Sequence, residues 1–142
     1  WVSRRDHLEK VVWPFLEQGT PVFSDRGDSS TFAYQVYAKK ILFLEDEFWR
    51  LRKLVFADRV PDLYIFIDVP TVIAKSRVSA DKSRGKLSHF DVKPLEFYDN
   101  VSKGFSVFGA SKDVNRIIVD GTRSREEVHE HIYKIVSEKC SW

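Results

Sequence analysis

Apolar residues recur along this chain in two rhythms, one helical and one strand-like. Over residues 3–17, Leu8, Val11, Val12, Phe15 and Leu16 repeat at helical spacing. Pro14 falls inside that stretch and predicts a kink. Gly19 then ends the helix and Pro21 bars a restart. Pro21-Val22-Phe23-Ser24 predicts a short buried strand, which runs into the polar turn Asp25-Arg26-Gly27-Asp28-Ser29-Ser30. Ser29 or Ser30 is placed to cap the next helix, which carries Phe32, Ala33, Val36 and Tyr37. A further helix is expected over Glu45–Phe56, with Phe48, Leu51, Leu54 and Val55 turned inward.

Residues 63–67 form an unbroken apolar run of strand length, ending at Asp68. Continuous hydrophobicity predicts a parallel strand covered on both faces. A helix over residues 71–78 and a polar, basic loop over 79–88 come next. Pro94 suits the first turn of a helix carrying Leu95, Phe97, Tyr98, Val101 and Phe105. Residues 116–119 predict a third strand, followed by Asp120-Gly121-Thr122. Ser124 and Glu127 spell a capping box for a last helix that buries Val128, Ile132, Ile135 and Val136. Strands alternating with helices predict an α/β fold with a parallel sheet, in a single domain over residues 1–142. Three strands fall short of the roughly five of a doubly wound sheet, so others are expected upstream of Trp1. The sequence has no methionine and opens inside a helical pattern, which predicts a piece of a longer protein with roughly 70 residues before it.

Composition narrows the class. Of the 142 residues, 43% are hydrophobic, 31% charged and 14% aromatic, enough for a packed core and too much for a disordered or collagen-like chain. No apolar run approaches the roughly 18 residues of a membrane span, and no signal-peptide pattern is present. A single cysteine, Cys140, forbids an intrachain disulfide and predicts a reducing compartment, the cytoplasm. The net charge of +2 is too balanced for nucleic-acid binding by bulk electrostatics.

Ligands of open α/β sheets bind beyond the carboxyl ends of the strands. The expected strand ends deliver Asp25-Arg26, Asp68 and Asp120-Gly121-Thr122. Arginine presents a fork of donors suited to a phosphate, with the neighbouring aspartate able to orient it; the alternative is an ion pair that closes a loop. Lys82, Arg84 and Lys86 either close over phosphates or lie on a solvated loop. Asp68 is suited to hold a magnesium-bound water, or is an ordinary polar strand end. His7, His89, His129 and His131 lack metal-ligand spacing, so no metal is assigned to them. Cys140 has no nucleophile context, and no Gly-x-Ser-x-Gly elbow occurs. Trp13, Phe15, Phe48 and Trp49 fit core or subunit contacts.

The run Arg4-x-x-His7…Pro14-x-Leu16-x-x-Gly19…Val22-x-Ser24-Asp25-Arg26-x-x-x-Ser30-x-x-x-Tyr34-Gln35 resembles the thymidylate kinases, a family of P-loop enzymes that phosphorylate dTMP. The resemblance continues through Pro61-Asp62-Leu63…Ile67-Asp68-Val69-Pro70, a basic lid, Phe97…Gly104-Phe105 and Ile118-Val119-Asp120-Gly121. It implies a three-layer α/β/α kinase fold, of which this chain is about the carboxy-terminal two-thirds, with a lid over about residues 79–91. It implies ATP-dependent conversion of dTMP to dTDP with Mg²⁺, in a homodimer. Arg26 resembles the arginine on the dTMP phosphate, held by Asp25, and Arg4 the one on the thymine base. Ser30, Tyr34 and Gln35 match positions lining the nucleoside, and Phe90 counts with them on the acceptor side. Arg84, with Lys82 and Lys86, resembles the lid cations on the ATP phosphates. Arg77 and the Asp120-Gly121-Thr122 turn resemble the adenine-side contacts.

The sequence departs from that pattern in four ways. No Gly-x-x-x-x-Gly-Lys occurs among the six glycines, so the P-loop and its central strand are expected upstream. The thymine-stacking aromatic is likewise expected before Trp1. Gly27 stands where the family has an aromatic or histidine, and the lid reads Ser88-His89-Phe90-Asp91. Two other readings therefore stay open: a related nucleoside or deoxynucleoside monophosphate kinase with another acceptor, and a non-catalytic nucleotide-binding remnant.

Overall fold

Two parallel strands organise the chain. In the computed structural model, which describes residues 1–80 and 93–140, β1 (Tyr64–Asp68) pairs with β2 (Arg116–Asp120). The register runs from Tyr64 opposite Arg116 to Asp68 opposite Asp120, so both strands end on an aspartate at the same edge. Parallel strands need a crossover, and α5 (Thr71–Ala80) and α6 (Leu95–Ala110) lie between them in sequence. Helix α5 runs through Ser79 and Ala80, two residues past the expected end.

The amino-terminal part is helical. Helix α1 (Val2–His7) passes through a π-helical stretch, Leu8–Val12, into α2 (Trp13–Glu17). Pro14 has no N–H for the ladder, and the disruption expected there takes the form of this widened stretch just before it. Helix α3 (Asp28–Thr31) runs into a second π-helical stretch, Phe32–Tyr37. It starts before Ser29 and Ser30, so neither is the cap; Gly27 holds that position. A 3₁₀ turn, Leu42–Leu44, precedes α4 (Glu45–Phe56), whose first turn carries Glu45, Asp46 and Glu47, the sign its dipole favours.

Two expectations about strands are corrected. Residues 21–24 form no strand: a strand needs a ladder partner, and the sheet of the described residues holds β1 and β2 alone. Val22 and Phe23 are exposed there. The sheet is also not covered on both faces by the described residues, since Ile67 and Ile118 are 53% and 56% exposed.

The core is aromatic. Phe32, Val36, Phe48, Phe108 and Val114 form it, with Trp49, Tyr64 and Phe66 packed against it. Phe32 meets Phe48 edge-on at 4.8 Å, and Trp49 stacks on Phe108 at 5.3 Å. Phe32 and Phe108 are fully buried, and each such side chain contributes about 2 kcal/mol. Gly104 permits close approach of α6 to the second π-helical stretch, because a Cβ there would lie 2.7 Å from the Ala33 Cα. A smaller cluster of Leu8, Val55 and Phe56 joins α4 to the amino-terminal helices.

The inward face of α4 differs from the expected one. Phe48, Arg52, Val55 and Phe56 are buried, Leu51 is half-buried, and Leu54 is 62% exposed. Helix α7 (Arg125–Cys140) buries Ile135, with Val128, Ile132 and Val136 half-buried. Its capping box is formed reciprocally: the Glu127 N–H donates to Ser124 Oγ at 3.2 Å, and the Ser124 N–H donates to Glu127 Oε2 at 3.0 Å.

Candidate functional site

The turn before α3 carries the first group of candidate residues. Arg26 has φ of 67°, a left-handed backbone that costs a non-glycine residue about 1 kcal/mol. Ser24 Oγ donates to its carbonyl at 2.8 Å, which closes the turn. The Arg26 guanidinium lies 5.5 Å from the centre of the Tyr34 ring, and that ring meets Phe97 and Phe105 edge-on at 6.2 Å each. Among the described residues no ion pair joins Asp25 to Arg26; both are exposed. Arginine and aromatic ring, rather than arginine and aspartate, set the position of the head group.

Arg4 reaches the same turn from α1. Its Nη2 donates to the Gly27 carbonyl at 3.2 Å and to Thr31 Oγ1 at 3.0 Å, while its guanidinium lies 4.7 Å from the Trp1 ring centre. Ser30 is half-buried and Gln35 exposed.

Beneath the turn lies a buried charged network that the sequence reading missed. Asp28 is 1% and Arg52 4% exposed. Arg52 Nε donates to Asp28 Oδ2 at 2.6 Å. The Tyr64 hydroxyl lies 3.0 Å from both carboxylate oxygens, and Arg52 Nη2 donates to that hydroxyl at 3.2 Å. Burial and the Asp28 charge push the Tyr64 hydroxyl well above its ordinary pKa. For Arg52, burial pulls the guanidinium down, but bonds to Tyr64 and Asp28 outweigh it and hold the group above its ordinary value. Three elements, α3, α4 and β1, are thereby tied by one carboxylate. The signal was present in the sequence: Arg52 sits between Phe48 and Val55-Phe56 at helical spacing, and an arginine at a core position demands a buried acid.

The second group sits at the carboxyl end of the sheet. The Gly121 N–H donates to the Asp68 carbonyl at 2.8 Å. A Cβ on Gly121 would come within 2.5 Å of Val69 Cγ2 and 2.6 Å of Ile67 Cγ2, so this tight turn requires glycine. Arg77, from α5, donates from Nη1 to the Gly121 carbonyl at 2.7 Å and from Nη2 to the Thr122 carbonyl at 2.9 Å. Asp120 Oδ1 accepts from the Thr122 hydroxyl at 2.6 Å and from its N–H at 2.9 Å. Those two bonds, hydroxyl first, hold the Asp120 carboxyl below the usual carboxylate value. The structure thus brings together Arg77, Asp120, Gly121 and Thr122, which the sequence assigned to one role. Lys82, Arg84, Lys86 and Phe90 lie outside the described residues.

A family model described as thymidylate kinase matches residues 1–132. The chain is 29% identical to a thymidylate kinase of Bradyrhizobium sp. over 96% of this chain and 60% of that protein. It is 33% identical to a thymidylate kinase of Nitrosomonas eutropha, covering 96% and 61%. A thymidylate kinase of Mesoplasma florum is 33% identical, covering 96% and 63%. The chain thus spans about three fifths of the length of the relatives it matches.

Proposed function

The chain belongs to the thymidylate kinase family, and we propose that the protein carrying it transfers a phosphoryl group from ATP to dTMP, giving dTDP. The observation that carries this reading is the turn at Arg26. An exposed guanidinium is held over an aromatic ring in a fixed backbone turn, with a second arginine, Arg4, beside it. That arrangement suits a planar nucleoside bearing an anionic tail.

In this reading Arg26 binds the acceptor phosphate, with Asp25 at its side, and Arg4 lies toward the base. Ser30, Tyr34 and Gln35 line the nucleoside, with Phe90 on the same side. Arg77 and the turn Asp120-Gly121-Thr122 hold the adenine side of ATP. Their mutual hydrogen bonds keep that turn in one shape before any nucleotide arrives. Arg84, with Lys82 and Lys86, is assigned to the ATP phosphates from the family pattern. Phosphoryl transfer asks a protein for positioning and charge stabilisation more than for covalent chemistry, and arginines supply both.

A magnesium ion held by nucleotide phosphates takes one or two carboxylates from the protein. Asp68, exposed at the end of β1, supplies that kind of donor. When bound, the ion would supply charge neutralisation at the phosphates. The reading extends to a three-layer α/β/α kinase fold, a homodimer and a cytoplasmic protein; no helix of the described residues is long and apolar enough to cross a membrane.

The test is turnover of dTMP, dUMP, thymidine and other monophosphates with ATP and Mg²⁺. The reading expects dTMP to be preferred by about tenfold or more, the scale that one well-placed contact supplies. Preference for another acceptor would overturn it.

A further inference from the structure

We propose that Asp28, Arg52 and Tyr64 are positioning residues that preset Arg26 for the acceptor phosphate. The inference rests on the reading of Arg26 given above and adds three residues to it. Arg26 is exposed and its backbone is left-handed, so solvent and strain both favour its release. Such a turn keeps one shape only when its flanks are fixed. Asp28 is the fixed flank. It is the first residue of α3, two positions after Arg26, and it is almost wholly buried. Its carboxylate is gripped by Arg52 from α4 and by Tyr64 from β1.

The network is more elaborate than α3 needs for its start, since an exposed aspartate would serve a helix N-terminus as well. What the burial adds is a rigid tie from the phosphate-facing turn to the sheet. Arg4, from α1, donates to the Gly27 carbonyl, so the residue between Arg26 and Asp28 is held as well. A guanidinium already in place loses less freedom when the phosphate arrives, and affinity for the phosphate rises accordingly.

Removing Asp28 or Arg52 would strand a buried charge and risks unfolding the chain. Tyr64→Phe is the gentler variant, because it deletes one hydroxyl and leaves the ion pair. The experiment is calorimetric titration of dTMP and of thymidine, the same nucleoside without its phosphate. It uses the unaltered protein, Tyr64→Phe, Arg26→Ala and the double variant, each checked for folding by its thermal transition.

The unaltered protein should bind dTMP more tightly than thymidine. Tyr64→Phe removes the bond to Asp28 and the one from Arg52; it should weaken dTMP about fivefold, on the order of 1 kcal/mol, and leave thymidine unchanged. In the Arg26→Ala background it should have no further effect, because a residue acting through Arg26 is silent once Arg26 is gone. Equal weakening of both ligands, or full additivity with Arg26→Ala, would overturn the proposal while leaving the phosphate role of Arg26 intact. No preference for dTMP in the unaltered protein would overturn that role itself, and the positioning inference with it.

Discussion

The two candidate turns are built in opposite ways. The Arg26 turn is exposed at its tip and anchored below by a buried carboxylate, an arginine and a tyrosine. The Asp120–Thr122 turn is anchored at the surface, by Arg77 on two carbonyls and by Asp120 on Thr122. Its buried component is Gly121, which leaves no room for a side chain and donates to the Asp68 carbonyl. The difference teaches where each turn is vulnerable. Buried charges are strongly coupled to the fold, so damage to the first turn should register as lost stability. Exposed hydrogen bonds contribute little to stability, so loss of the second turn's side-chain bonds should register as lost ligand binding.

The largest effect should come from Arg52→Ala. Among the described residues it leaves the buried Asp28 carboxylate with the Tyr64 hydroxyl alone, and breaking such a pair costs about 3–5 kcal/mol. Chemical denaturation would measure it as a lower midpoint. A loss under about 1 kcal/mol would mean that water reaches Asp28, and the contrast between the turns would collapse.

Gly121→Ala comes next. The new methyl group would come within 2.5 Å of Val69 Cγ2 and 2.6 Å of Ile67 Cγ2 and lie 3.0 Å from the Asp68 carbonyl oxygen, so its neighbours must shift. Overpacking of this kind costs about 1–3 kcal/mol, again read from denaturation. Arg77→Ala removes two bonds from an exposed arginine and should cost at most about 1 kcal/mol of stability. Its larger signature lies in kinetics: KM for ATP should rise about tenfold with KM for dTMP unchanged, whereas Arg26→Ala should do the reverse. If both variants moved the same KM, the assignment of the two turns to two ligands would be wrong.

What the sequence could disclose follows the same division. Local features were readable. The strands at Tyr64 and Arg116 came from apolar runs of strand length, and the Ser124–Glu127 box from spacing alone. The family pattern places Arg77 and Thr122 in one group, and a 2.9 Å bond joins them. Nonlocal features were not readable. Arg52 was passed over because a periodicity argument expects apolar residues inside, and Leu54 was placed inside by the same argument. The partner that makes Arg52 tolerable, Asp28, lies 24 positions away and reads as one more polar residue in a turn. Residues 21–24 have strand composition, but composition does not supply the neighbouring strand that a ladder requires.

The smallest expected effect is a pH dependence confined to the second turn. The Asp120 carboxyl is held below its ordinary value by the Thr122 hydroxyl and N–H, and to a lesser extent by Arg123. A carboxylate whose folded value is depressed binds protons more readily in the unfolded chain. Its contribution is therefore full above about pH 4, the unfolded aspartate value, and is lost as pH falls through the lower folded value. The group is exposed, so the overall stability curve should hardly move. The turn itself should respond, because protonated Asp120 accepts the Thr122 bonds more weakly. In an NMR titration the Thr122 amide should follow a single step below about pH 4, and Asp120→Asn should abolish it. The Asp28 region should show no step that Asp120→Asn removes. A common step at both turns, lost together in that variant, would mean that the two are coupled through the sheet rather than built independently.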